Sequence, residues 1–245
     1  MSSNETLWPP CPALRLSSRA KETRMFELKR LWWSGAVALV LVAGAAKAAD
    51  EWETVESKKA VIKVRTRPNG NGKEVWAEKD VEANAVDVQT ALMDSGSFRL
   101  WMPYVKESRV VSTNPDGSRV AYARLSLPVV DDRDYTIQVT DEKKLAEDGT
   151  GAYVQRWKVV EGALPERKDI VRLKYNEGTW EVTPKGEAST HIVYKFAVDP
   201  GGSIPGWLAS FGQKDGVLDT LKAVQERAQK LGEERKKAKP APKAP

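Results

Sequence analysis

Few side chains in this 245-residue sequence are equipped to do chemistry on a substrate. It holds one histidine, His191, and one cysteine, Cys11. A Ser-His-Asp site must therefore use His191, and a thiol nucleophile must use Cys11. Disulfide frameworks, zinc clusters and c-type haem attachment are excluded on count alone. His191 alternates with Ile192, Tyr194 and Phe196, so one of those two sets faces solvent. A histidine isolated in this way reads as structural or exposed. The acidic run Asp131-Asp132-Arg133-Asp134 invites a metal reading. Neighbouring residues on a strand point to opposite faces, so Asp132 and Asp134 can pair while Asp131 cannot join them, and Arg133 competes for their charge. A solvated turn or a salt-bridged strand start accounts for the run better. Gly70-Asn71-Gly72 is a hairpin turn with no helix behind it, which is not the context of a phosphate loop. No cofactor and no metal are expected, and the chain does not read as an enzyme.

The elements that must hold any site are mostly strands. Val61 to Arg65 alternates and ends at the turn cluster Pro68 to Gly72, and Val75 to Ala83 is the return strand. The period then changes. Val86, Leu92 and Met93 fit a helix capped by Asn84 and stopped at Gly96. Strands resume at Tyr104. A hairpin of 106–112 and 119–127 turns at Asn114-Pro115-Asp116-Gly117, and a second pairs 134–141 with 152–160. Residues 170–175 turn at Asn176-Glu177-Gly178 into 179–183, and Pro184-Lys185-Gly186 turns into 189–198. Short connections favour antiparallel pairing. After the break at Asp199-Pro200-Gly201-Gly202, Ser203 can cap a helix and Pro205 suits its first turn. Apolar residues from Ile204 to Leu231 keep helical spacing, with a bend expected between Gly212 and Gly216. Strands followed by one long terminal helix read as α+β.

The two ends differ in composition. Lys29 and Arg30, the apolar run Leu31 to Ala46 and the small-x-small pattern Ala46-Lys47-Ala48 read as a secretory signal starting at Met25 and cut after Ala48. The run is short of the ~20 residues that span a bilayer. The expected location is periplasmic or secreted, with an uncleaved membrane anchor as the alternative. Residues 1–48 carry seven basic and three acidic side chains, which is four of the net +5. Most of the basic character leaves with them, and a nucleic-acid role loses its support. Residues 233–245 hold five basic and two acidic side chains and three prolines. They are expected to be a disordered tail. Residues 49–232 form one domain, read as a monomer.

Within that domain the sequence resembles a known family. Trp101-Met102-Pro103 leads into a strand carrying Arg109. Tyr122, Leu127-Pro128 and Arg133-Asp134-Tyr135 follow, then Val171-Arg172-Leu173 and Gly178-Thr179-Trp180. Phe196 to Leu208 (FAVDPGGSIPGWL) precedes Val217-Leu218-Asp219-Thr220-Leu221-Lys222. In this order, across residues 55–231, the pieces resemble the START lipid-transfer domains of the helix-grip, or SRPBCC, superfamily. The resemblance implies a curved antiparallel sheet wrapped around a long C-terminal helix. It also implies one lipid or sterol-like molecule held between them. No ligand-contacting residue carries over from the family position by position.

A lipid pocket needs apolar wall more than reactive groups, and alternation suggests where that wall lies. Tyr122 and Arg124 share one face of 119–127, opposite Ala121, Ala123 and Leu125. Tyr153 and Trp157 share a face of 152–159, and Tyr194 and Phe196 a face of 190–198. Trp207, Leu208 and Phe211 stand on the terminal helix. These nine (Tyr122, Arg124, Tyr153, Trp157, Tyr194, Phe196, Trp207, Leu208, Phe211) are the candidate ligand contacts, with plain core packing as the alternative for each. Arg124 meets a headgroup or hydroxyl if its face turns inward, and is a surface arginine otherwise. A void on the order of 400 Å³ would cost about 10 kcal/mol if left empty, so such a pocket is filled, hydrated or partly collapsed. Ligand exchange through transient membrane contact is expected, with the Gly201-Gly202 hinge, the 147–151 turn and Trp207 as the mobile or inserting parts. The alternatives are a cyclase- or hydrolase-like enzyme on the same fold, and an envelope protein-interaction module.

Overall fold

Period-two burial builds the sheet. On β2 (Val61–Thr66), Ile62 and Val64 are buried while Val61 is exposed, and on β3 (Lys73–Val81) Val75, Ala77 and Val81 are buried in the same rhythm. The computed structural model describes residues 51–55, 57–67, 72–202 and 214–238. The leader with its cleavage site, Cys11, the turn at 68–71, and Ser203, Ile204, Pro205, Trp207, Leu208, Phe211 and Gly212 lie outside them.

Ten strands form one curved sheet among the described residues. Besides β2 and β3 they are β1 (Glu53–Val55), β4 (Val105–Thr113), β5 (Arg119–Leu125), β6 (Arg133–Lys143) and β7 (Tyr153–Val159). β8 (Val171–Arg172), β9 (Tyr175–Gly186) and β10 (Ser189–Asp199) complete it. The order across the sheet is β1-β2-β3-β10-β9-β7-β6-β5-β4, every neighbour antiparallel, with the two-residue β8 alone running parallel to β6. The segment 170–175 is therefore only briefly a strand.

Two readings of glycine change. Asn176-Glu177-Gly178 is not a turn but the interior of β9. A Cβ on Gly178 would stand 2.2 Å from Cζ2 of Trp157 and 2.4 Å from the Lys195 carbonyl oxygen. The glycine is there because a neighbouring indole lies across the strand. Gly96 does not stop the first helix either. α1 (Ala85–Met93) ends before it at Asp94, and a 3-10 turn (Ser95–Leu100) runs through it. Asn84 caps α1 as expected, its side chain accepting from the Val86 amide at 2.9 Å.

The terminal helix, α2 (Asp215–Ala238), buries Val217, Leu221, Val224 and Ala228, a stripe at helical spacing. Together with Val88 and Leu92 of α1 these residues close a core over Ile62, Ala77, Val182 and Ile192 of the sheet. The helix continues through residues 233–238, which composition had assigned to the tail. Arg235 reaches Asp87 of α1, Nη2 to Oδ2 at 2.7 Å, and Arg235, Lys236 and Lys237 sit in the last turn where the helix dipole favours cations. Glu, Arg and Lys are also good helix formers. Gly232 permits the close approach, since a Cβ there would lie 2.8 Å from Asp87 Oδ2.

Candidate ligand-binding site

The register fixes which side chains share the concave face. Directly paired residues point the same way, so Ala123 goes with Tyr135, Val139 with Trp157, Gln155 with Trp180, and Trp180 with Tyr194. Over this face lies a cavity of about 240 Å³. Leu125, Tyr135, Ile137 and Val139 form one wall, and Trp157, Trp180, Tyr194 and Phe196 form the floor. The opposite side is closed by Phe98, Met102 and Tyr104, at and just after the 3-10 turn. From α2, Thr220 reaches it. The cavity was expected under the C-terminal helix. Among the described residues the segment 95–105 covers most of it, because the apolar stripe of α2 is spent on the core with α1.

The floor is stiff. Tyr194 stacks on Trp180 with ring centroids 3.8 Å apart and planes 6° from parallel, and Phe196 stacks on Tyr194 at 4.8 Å. Trp157 lies across Gly178 and donates its Nε1 hydrogen to Asn176 Oδ1 at 3.0 Å. Tyr135 and Tyr194 present hydroxyls that make no hydrogen bond to any described residue. Burial alone pushes the Tyr135 phenol up to about 12. Burial, and then the nearby Tyr135, push Tyr194 up as well. Both are therefore neutral donors at ordinary pH.

One end of the concave face is polar and satisfied within itself. Asp141 takes Arg119 Nη1 at 2.8 Å, the Tyr153 hydroxyl at 2.7 Å and the Gln155 amide at 2.9 Å. Burial works to raise the Asp141 carboxyl. The Arg119 guanidinium, the Gln155 amide and the Tyr153 hydroxyl together outweigh it and hold the group below its ordinary value. At the rim, the Tyr104 hydroxyl bonds Asp219 Oδ2 of α2 at 2.5 Å. Tyr104 adopts φ +64°, a left-handed conformation that a side chain of this size seldom takes.

The candidate contacts divide. Trp157, Tyr194 and Phe196 line the cavity. Tyr153 shares their face but is fully buried in the core, where its hydroxyl is bound to Asp141. Tyr122 and Arg124 are on the other side of the sheet, because Ala121, Ala123 and Leu125 take the concave face. Tyr122 packs under the Arg109 guanidinium, 4.2 Å from its ring centroid, and accepts from Arg167 Nη1 at 3.2 Å. Arg124 pairs with Glu107 at 2.5 Å and Asp132 at 3.2 Å. Its alternative as a headgroup contact is closed by that geometry. Asp134 is fully buried and held bidentately by Arg172 at 2.6 and 3.1 Å, so the two acids of the run that could pair, Asp132 and Asp134, are each taken by an arginine. His191 faces outward, Nδ1 2.7 Å from Asp80 Oδ1, on the side away from the cavity. Tyr135, Met102 and Phe98 were missed as lining, whereas Gln155 lines it on the face that alternation in 152–159 suggests. For Tyr135 the signal was present, since 135, 137 and 139 alternate inward.

Comparison with known proteins agrees with the fold. Residues 81–225 match the family described as polyketide cyclase / dehydrase and lipid transport. The chain belongs to that family. Among solved members, a STAR-related lipid transfer protein fragment from Xanthomonas axonopodis is 31% identical, with a TM-score of 0.63 over 74% of this chain and 99% of that one. An uncharacterized Pseudomonas aeruginosa protein is 29% identical over 197 residues, 80% of this chain and 95% of its own. Phosphatidylcholine transfer protein from Rattus norvegicus is 29% identical over 141 residues, 56% of this chain. The match spans 64% of that relative's length. The family-level expectation of a START-type, helix-grip fold therefore stands, with its curved antiparallel sheet and terminal helix.

Proposed function

We propose that this protein binds a single hydrophobic or amphiphilic molecule in the 240 Å³ cavity and carries it unchanged outside the cytoplasm. The cavity itself carries the reading: aromatic and aliphatic walls with two tyrosine hydroxyls left to be satisfied. At about 30 Å³ per water-sized group, this volume holds roughly eight such groups. That suits one medium-length chain or a small ring system. Burial of eight methylenes contributes about 6 kcal/mol before association costs.

Carriage without conversion is supported by the lining. Tyr135 and Tyr194 are both held protonated, His191 is on the opposite face, and Asp141 is saturated by three donors, so among the described residues no acid–base pair faces the ligand. Export is supported by the leader pattern of residues 25–49. The protein works as a monomer and exchanges ligand in transient contact with a membrane. Leu100 is 68% exposed and Val129 80% exposed, each on a segment that also lines the cavity or adjoins it. Native mass spectrometry of gently purified protein is expected to show a co-purified small molecule. A clean unliganded mass, together with no displacement of a neutral fluorescent probe by any fatty acid, alcohol or sterol, would overturn the proposal.

A further inference from the structure

Three shielded arginines on this sheet come with their acids. Arg119 has Asp141, Arg124 has Glu107 and Asp132, and Arg172 has Asp134. Arg133 does not. It is only 3% exposed, Nη1 donates to the carbonyl oxygen of Asp131, Nε has no partner, and among the described residues no carboxylate pairs with it. An arginine cannot shed its proton, so burial without a counter-charge is costly and asks for an anion. The position of the side chain says where that anion would come from. Arg133 pairs in register with Leu125 and stands one inward position before Tyr135, and both of those line the cavity. Across its guanidinium lies the glycine pair just after β10: a Cβ on Gly202 would be 3.9 Å from Nη2. Gly201 and Gly202 both hold φ near +60°, and the Asp199 carboxylate there is turned to the Gly201 amide at 3.0 Å.

We propose that Arg133 is the headgroup receptor of the site and that the ligand is a single-chain amphiphile ending in a carboxylate or phosphate. The anion meets the guanidinium fork beside the Gly201-Gly202 turn, and the chain runs from there along Tyr135 onto the aromatic floor. The role of Arg133 rests on the reading of the cavity as a hydrophobic-ligand site and specifies the chemistry of that ligand.

The test is displacement of the neutral probe N-phenyl-1-naphthylamine from the full chain by decanol, decanoate and decyl phosphate, for the native protein and for Arg133→Met and Arg133→Lys. The native protein is expected to prefer one of the two anions over decanol by about tenfold or more, as one charge-assisted pair implies. Which anion is preferred distinguishes a fatty-acid source from a phosphate-ester source. Arg133→Met is expected to keep decanol binding and lose the preference. Arg133→Lys, which keeps the charge without the fork, is expected to retain part of it. Equal binding of decanol and both anions by the native protein overturns the assignment while leaving the cavity reading intact. An Arg133→Met protein that loses decanol and anion binding together, with a lowered midpoint of thermal unfolding, gives Arg133 a structural role and also overturns it. If Arg133→Met does not fold, a native preference that survives in full in Arg133→Lys counts against the bidentate receptor. Failure of the native protein to bind the probe or any of the three compounds is a failure of the cavity reading itself.

Discussion

Gly178 shows how one missing side chain sets a whole surface. With 2.2 Å to the Trp157 ring and 2.4 Å to the Lys195 carbonyl, Gly178→Ala has no room on either side. We expect it to destabilise the fold by about 1–3 kcal/mol, read by urea denaturation, and to change the near-ultraviolet circular dichroism of the displaced indole. Asp141 gives a second prediction at this scale. Its carboxyl titrates lower in the folded protein than unfolded, so its stabilisation is fully present above the unfolded value, about 3.9. It is lost as pH falls through the lower folded value. Denaturation series from pH 7 to pH 2 should therefore show an acid-limb loss that is smaller in Asp141→Asn. Asp141→Leu, which strands Arg119 in the core, is expected to cost about 3–5 kcal/mol at pH 7. Much at this scale was legible. Trp157, Tyr194 and Phe196 reached the cavity because alternation in 153–159 and 190–198 put each set on one face. Tyr122 and Arg124 did not, because alternation gives two faces and no sign. Only the register with β6 shows that the small residues, Ala121 and Ala123, are the ones turned inward.

Elements were read well where period and punctuation agreed, and less well where a glycine had a packing role. The two hairpins around Asn114–Gly117 and Glu147–Gly151 form as expected, and so does the cap at Asn84. The continuous β9 was split because Asn176-Glu177-Gly178 has turn composition, and no local rule reveals a tryptophan arriving from β7. The last turn and a half of α2 was lost for a related reason. Its charged sequence looks unable to fold alone, and the contact that orders it, Arg235 to Asp87, spans 148 residues. Arg235→Ala and Asp87→Ala are each expected to lower stability by roughly 1 kcal/mol, and a double-mutant cycle on thermal unfolding should show strong coupling between them. Near-additive losses would mean that the pair does not pin the two helices.

For the molecule as a whole, binding and stability are one quantity. A ligand that enters the folded cavity and not the unfolded chain adds about 2.7 kcal/mol at a concentration a hundredfold above its Kd. The unfolding midpoint should therefore rise with ligand concentration, and Trp157 and Trp180 should report the same binding curve by fluorescence. Coincident curves place the ligand over the floor, whereas a fluorescence change without stabilisation places it on the surface. The family resemblance supplied the cavity from sequence, but its 240 Å³ volume, smaller than the 400 Å³ assumed, depends on how far the ring stack and the 95–105 segment close on each other.

That ring stack has a consequence for selectivity. A floor of Trp180, Tyr194 and Phe196 packed ring on ring at 3.8 and 4.8 Å has little slack to yield. The protein should then behave as a ruler. Along a homologous series of straight-chain compounds, each added carbon tightens binding by about fourfold, the worth of one buried methylene. The climb stops abruptly at the carbon that reaches the end wall.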